Sequence, residues 1–171
     1  MQPPDLEREL DHVHTAAFGW ALACCAGDRS RAEDVLQSSY LKILDGRARF
    51  DGRSSFRTWL FGIVRRTAAE ERRRARLRRW LPLTWFGVLQ ARDGRPDPAS
   101  ALTRSETTRR LERALAALPP RQHEVLHLVF YQDLTIAEAG TVLGVSLGTA
   151  RTHYERGKAA LREMLKEVDR E

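Results

Sequence analysis

The stretch from Leu134 to Lys158, LTIAEAGTVLGVSLGTARTHYERGK, constrains the fold more than any other part of this chain. Thr135 can cap a short helix running to Leu143, Gly144-Val145 turns the chain, and Ser146 can cap a second helix that continues past Lys158. Two helices joined by a short turn containing glycine form the helix-turn-helix pattern. On a 3.6-residue wheel, Ala150, Tyr154, Gly157 and Leu161 share one side of the second helix, its inner side. The opposite side carries Gly148, Thr152 and Glu155, with Arg151 and Arg156 as flanks. That chemistry suits a DNA major groove, because Arg can pair with guanine O6 and N7 and Glu can accept from cytosine N4. Gly148 lets the backbone approach phosphates, and the helix N-terminus offers them its free N–H groups. A helical hairpin with a solvated charged face would share the charge pattern. It would not require the caps, turn and small inner residues to fall in register.

A formal charge of +6 and a pI near 10 favour a polyanionic partner or an acidic surface. The 171 residues allow one or two domains with a core of ordinary size. No apolar run approaches the roughly 18 residues of a membrane span. The start, MQPPDLERELD, is acidic and lacks the layout of a signal peptide, so a cytoplasmic protein is expected. The adjacent Cys24 and Cys25 make a poor staple, and no disulfide framework is expected.

Before the helix-turn-helix, the pattern is helical almost throughout. Leu6, Leu10, Val13, Ala17, Trp20, Ala21 and Cys24 recur at threes and fours, which predicts an amphipathic helix over 5–26. His12 and His14 point to nearly opposite sides of that helix, and the cysteines lie roughly 15–18 Å further along. No metal site is expected there, and no cofactor motif occurs anywhere. Ser30 can cap a helix over 31–45 with Ala32, Leu36, Ser39, Tyr40 and Ile43 inward. Its reverse side carries Asp34, Gln37, Ser38 and Leu41, which reads equally as a solvated face or as the centre of a protein-binding one.

A Gly- and charge-rich loop, 45–54, precedes a long helix capped by Ser54 or Ser55, with Phe56, Trp59, Leu60, Ile63 and Val64 as its apolar stripe. Eight arginines and two glutamates then fall between Arg65 and Arg79, with little to bury. That density fits a phosphate footprint, and the turns lack an apolar face to insert into a membrane surface. The apolar segment 80–90 and the Gly/Pro-rich ARDGRPDPAS read as a linker and the clearest domain boundary. Leu111, Leu115 and Leu118 mark a helix stopped by Pro119-Pro120, and Val125, Leu126 and Val129 mark the next.

Three segments carry a family resemblance: AEDVLQSSYLKIL (32–44), FDGRSSFRTWLFGIVRR (50–66) and LPPRQHEVLHLVFYQDLTIAEAGTVLGVSLGTARTHYERGKAALRE (118–163). In this order they resemble regions 2 and 4 of the extracytoplasmic-function (ECF, group 4) sigma factors of RNA polymerase. The resemblance implies an all-α fold of two small helical domains joined by a flexible linker. Residues 1–80 would form region 2, 81–104 the linker, and 105–171 the region 4 helix-turn-helix domain. It implies no enzymatic activity. Asp34, Gln37, Ser38 and Leu41 would dock on the β′ clamp helices of core RNA polymerase, with the β flap as a further contact. Arg53, Ser54, Arg65, Arg66, Arg72 and Arg73 would serve the promoter −10 element and its opening. Gly148, Thr149, Arg151, Thr152, Glu155 and Arg156 would read the −35 element. An anti-sigma factor is a further implied partner. Trp59 matches the family's Trp, but its wheel position predicts core rather than a wedge between bases.

The chain departs from the family pattern at four places. Arg66 stands where Asn is usual, and Ser38 where an acidic residue is common. Ala139 replaces a larger apolar residue, and Gly140 replaces Ala, at about 1 kcal/mol of helix propensity. Other readings are a sigma-like decoy for an anti-sigma factor and a stand-alone helix-turn-helix regulator. An RNA-acting enzyme is a third, but no nucleophile sits beside a base in the sequence pattern and no phosphate loop is present.

Overall fold

Caps and breakers decide where the helices begin and end. The computed structural model describes residues 3–80 and 106–168, so the expected linker, 81–104, lies outside the described residues. Its elements are α1 (Pro3–Cys24), α2 (Arg29–Leu44), α3 (Phe56–Trp80), α4 (Glu106–Ala117), α5 (Pro120–Phe130), α6 (Ile136–Leu143) and α7 (Leu147–Val168). All are helices, as the sequence predicts. The chain divides into two compact units: Met1–Phe50 with Ile63–Pro96, and Asp51–Gly62 with Asp97–Glu171. Phe56–Gly62 of α3 therefore group with α4–α7, and the rest of α3 with α1 and α2.

In the first unit, α1 ends two residues earlier than the pattern predicts. The N–H of Gly27 bonds back to the Leu22 carbonyl at 2.9 Å, with Ala26 and Gly27 both at positive φ. This is the left-handed exit that closes many helices, and at Ala26 it is adopted without the freedom of glycine. Asp28, not Ser30, caps α2: its Oδ1 accepts from the Arg31 N–H at 3.0 Å, so the helix starts two residues before the expected position. Ala32, Val35, Leu36, Ser39 and Ile43 are buried along α2, which packs on α1. Ser39 satisfies its hydroxyl by donating to the Val35 carbonyl at 2.7 Å. His14 and Tyr40 meet across the two helices, Nδ1 to hydroxyl, at 3.1 Å. Cys24 and Cys25 are buried and not joined in a disulfide, and burial pushes Cys25 up to about 11, which disfavours its thiolate.

The second unit is built around α7, which packs against α4, α5 and α6. Leu118, Val125, Leu126, Leu128, Leu134, Val142, Leu143 and Ala150 are buried there. Pro119-Pro120 stops α4 and starts α5, with Pro120 at the first helical position, where its missing N–H costs nothing. Thr135 caps α6 through a full capping box. Its Oγ1 accepts from the Glu138 N–H at 3.2 Å, and Glu138 Oε2 accepts from the Thr135 N–H at 2.9 Å. That bonding, the Thr135 hydroxyl first, holds the Glu138 carboxyl below its ordinary value.

The turn between α6 and α7 needs glycine at two places for different reasons. Gly144 has φ +66, and its N–H closes α6 on the Gly140 and Thr141 carbonyls. Gly140 is helical but crowded: a Cβ there would meet the Val145 carbonyl at 3.2 Å and the Ala150 Cβ at 3.3 Å. Its low propensity is thus set against a close approach of the two helices. Ser146 then caps α7, accepting from the Thr149 N–H at 3.2 Å. Further along, a Cβ on Gly157 would sit 3.1 Å from Leu126 Cδ1 and 3.2 Å from Gln122 Cβ, so side chains of α5 pack directly onto the α7 backbone there.

Candidate nucleic-acid and partner interfaces

With Ala150 and Gly157 committed to packing, the helical period turns the other side of α7 to solvent. Gly148, Thr149, Arg151, Thr152, Glu155 and Arg156 are all exposed. Among the described residues, no hydrogen bond or ion pair engages the side chains of Arg151, Glu155 or Arg156. The hydroxyls are different. Thr152 Oγ1 donates to the Gly148 carbonyl at 3.0 Å, and Thr149 Oγ1 lies 2.9 Å from Ser146 Oγ. A Cβ built on Gly148 would meet nothing nearer than Ser146 Oγ at 4.0 Å, so the fold itself would accommodate a side chain there. Lys158 lies toward the inner side, its Nζ 4.9 Å from the Tyr154 ring, which in turn stacks on Phe130. Phe130, Leu161 and Leu165 floor a shallow groove of about 350 Å³ rimmed by Lys158, Arg162 and Lys166.

On α2 the expected partner face points outward. Leu41 is 52% exposed, Asp34 and Gln37 are exposed, and Ser38 is half-buried. The structure adds Glu71, from α3, which sequence reasoning missed. Burial and then the nearby Asp34 charge push the Glu71 carboxyl up, and a hydrogen bond from Ser38 pulls it back. No periodicity could have found it, because the two residues lie on different helices. Lys42, one position beyond Leu41, turns inward and donates to Glu70 Oε2 at 2.7 Å and to Thr67 Oγ1 at 3.0 Å.

The six residues expected at the −10 element fall into two groups. Arg53 and Ser54 belong to the second unit; Arg65, Arg66, Arg72 and Arg73 belong to the first. Arg53 is exposed and sits in a tight turn: its N–H donates to Asp51 Oδ1 at 3.2 Å and its Nε lies 3.3 Å from Asp51 Oδ2. Ser54 donates to the Ser55 carbonyl at 3.2 Å. Arg66 and Arg73 are exposed, and Arg65 is half-buried. Arg72 is partly spent on the fold, because its Nη1 donates to the Cys24 carbonyl at 2.6 Å, at the C-terminal end of α1. A guanidinium suits a helix C-terminus, where unpaired carbonyls and the dipole both favour a cation. Trp59, expected in the core, is half-buried with its ring 5.4 Å from that of Phe56.

A second residue that sequence reasoning missed is Arg57. Within the second unit its Nη2 donates to Gln132 Oε1 at 3.1 Å, and its guanidinium lies 5.3 Å from the centre of the Phe61 ring. Gln132 is buried, and its amide Nε2 faces His127 Nε2 at 3.3 Å. Burial, and then His123, push His127 down to about 4, so near neutral pH the ring is uncharged and can accept from that amide.

Comparison with known proteins identifies what these surfaces belong to. The model of sigma-70 region 2 matches residues 6–78, and that of sigma-70 region 4 matches residues 114–163. The chain is 33% identical over 144 residues to the ECF RNA polymerase sigma factor SigF of Caulobacter vibrioides, covering 84% of this chain and 76% of the relative. It is 30% identical over 170 residues to the RNA polymerase sigma factor CarQ of Myxococcus xanthus, covering 98% and 93%. Its fold is shared with the sigma factor RpoE of Bartonella quintana, solved in complex with the anti-sigma factor NepR. The TM-score is 0.70 at 23% identity, over 95% of this chain and 97% of that one. Both regions are present in order, and region 4 is a helix-turn-helix. This chain belongs to the sigma-70 family as an ECF sigma factor, a non-enzymatic protein that directs RNA polymerase to promoters.

Proposed function

We propose a division of labour among the surfaces. Asp34, Gln37, Ser38 and Leu41 dock on the β′ clamp helices of core polymerase, with residues 1–80 acting as the region 2 domain. Arg53, Ser54, Arg65, Arg66 and Arg73 serve the −10 element, and Arg72 contributes through the donors that Cys24 leaves open. Gly148, Thr149, Arg151, Thr152, Glu155 and Arg156 read the −35 element from a domain spanning 105–171, beyond a linker at 81–104. The groove at Phe130, Leu161 and Leu165 offers a partner protein an apolar floor with a basic rim, and the β flap is the partner expected there. By the family resemblance, an anti-sigma factor is a further partner. No helix among the described residues is long and apolar enough to cross a membrane, in keeping with work at the cytoplasmic polymerase.

The observation that carries this reading is the outer face of α7, where Arg151, Glu155 and Arg156 stand exposed around a bare Gly148. Run-off transcription with purified core polymerase and a promoter library tests the whole scheme. The wild-type chain is expected to select promoters with fixed −10 and −35 elements. Leu41→Arg is expected to weaken the polymerase complex by more than about 1 kcal/mol with the helical circular dichroism unchanged. Selection without polymerase would favour a stand-alone regulator. No selection in either setting, with tight binding to an anti-sigma factor, would favour a decoy.

A further inference from the structure

The outer face of α7 divides into two chemistries along its length. Arg151, Glu155 and Arg156 are polar at their tips and, among the described residues, unengaged. Thr152, on the central outward line between Gly148 and Glu155, is different. Its hydroxyl is turned back onto the helix, donating to the Gly148 carbonyl at 3.0 Å. With its proton committed, the hydroxyl can no longer donate to a base, and the γ-methyl is the group left to make an apolar contact. Gly148, one turn earlier on the same line, has no side chain, and a Cβ built there would meet nothing nearer than Ser146 Oγ at 4.0 Å, so the approach to Thr152 from that side is open. The next hydroxyl, Thr149 Oγ1, is also engaged, 2.9 Å from Ser146 Oγ.

In the major groove only thymine presents a methyl group, and an apolar side-chain contact is how proteins recognise it. We propose that Thr152 is a specificity-determining residue that reads a thymine of the −35 element through its γ-methyl, not its hydroxyl. The proposal rests on the reading that α7 enters the major groove. It adds a sharper claim: the N-terminal end of the helix selects a thymine, while Arg151, Glu155 and Arg156 select by hydrogen bonds.

The test uses holoenzyme assembled from the full chain and core polymerase, on a promoter it has selected from a library randomised across the upstream element. Each thymine is replaced singly by uracil, which removes only the methyl, and affinity is measured by competition. At one position uracil is expected to lower wild-type affinity about fourfold, the discrimination that one buried methyl carries. Thr152→Ser, which keeps the hydroxyl, is expected to show the same loss on thymine and no further loss on uracil. Thr152→Val, which keeps the methyl, is expected to retain the thymine preference. Loss of that preference in Thr152→Val with retention in Thr152→Ser would assign the reading to the hydroxyl and overturn the proposal. Indifference to uracil at every position would overturn it too. Arg151→Ala and Arg156→Ala in the same assay separate the two levels. If they alter the preference while uracil is neutral, only the methyl reading falls. If none of the variants alters it, the major-groove placement falls as well.

Discussion

Both α3 beyond Ile63 and α7 carry rows of arginine, yet the protein uses the two rows differently. Along α3 the charges are partly stitched into the first unit. Arg72 donates to the end of α1, Glu70 takes Lys42 of α2 at 2.7 Å, and Glu71 takes Ser38. Along the outer face of α7 the side-chain polar bonds among the described residues are local, from Thr152 to Gly148 and from Lys166 to Glu163. Its packing relies on Ala150 and Gly157 on the opposite side. The difference teaches that arginine density alone does not measure a nucleic-acid surface. What counts is the charge left over after the fold has taken its share.

The sharpest way to break this comparison is at the inner face of α7. Gly157→Val would push two methyl groups and a Cβ into Leu126 and Gln122 of α5. We expect a loss of about 1–3 kcal/mol in urea unfolding, the usual cost of overpacking. Gly148→Ala, on the open outer side, should leave stability unchanged or slightly raised while weakening promoter binding. A Gly157→Val protein as stable as the parent would mean that the close α5–α7 approach is not a constraint.

Next in size is the outer face itself. Arg151→Ala or Arg156→Ala, at least one of them, is expected to relax preference at a G·C pair of the −35 element by about 1–3 kcal/mol, with the melting temperature unchanged. Promoter-library selection reads this at every position. If both variants keep the parental preference throughout, α7 is not reading bases through its arginines.

On α3 the expected effects are smaller and of two kinds. Arg72→Ala should cost about 1–2 kcal/mol of stability through the lost contact at the end of α1. Arg73→Ala should leave stability within about 0.5 kcal/mol while lowering promoter affinity evenly across sequences. It should also flatten the salt dependence by roughly 0.9 in slope for the lost contact. Equal stability losses in the two variants would erase the distinction between structural and free arginines.

The smallest effect concerns Glu70, whose carboxyl the hydrogen bond from Lys42 holds below the ordinary value of 4.5. A depressed carboxylate contributes stability above its unfolded pKa and loses it as pH falls through the folded one. Glu70→Gln is expected to cost under about 1 kcal/mol near pH 7, the pair being partly exposed. The gap between variant and parent should close as the pH drops below 4.5 toward the lowered titration. A gap that persists at low pH would mean that Glu70 acts through packing and not through its charge.

Much of the architecture was legible in local sequence because its causes are local. The Thr135 and Ser146 caps, the turn at Gly144 and the inward Ala150–Gly157 line depend on residues within a turn or two of one another, and each appears as the pattern predicts. Boundaries were less legible where two caps competed. Asp28 displaces Ser30 because its carboxylate reaches the Arg31 N–H first, and the preceding left-handed turn at Ala26-Gly27 fixes where α1 must stop.

The sequence by itself determined the helices, their inward faces and the family to which they belong, since periodicity and caps are written in consecutive residues. Only the tertiary structure decided which charges are free. Whether Arg72 meets a phosphate or the Cys24 carbonyl, whether Glu71 joins the Asp34–Ser38 face, and whether Arg57 finds the amide of Gln132 depend on partners 33 to 75 positions away in the chain. Those pairings are set by how helices pack, and hydrogen bonds reach only about 3 Å, so no local pattern records them.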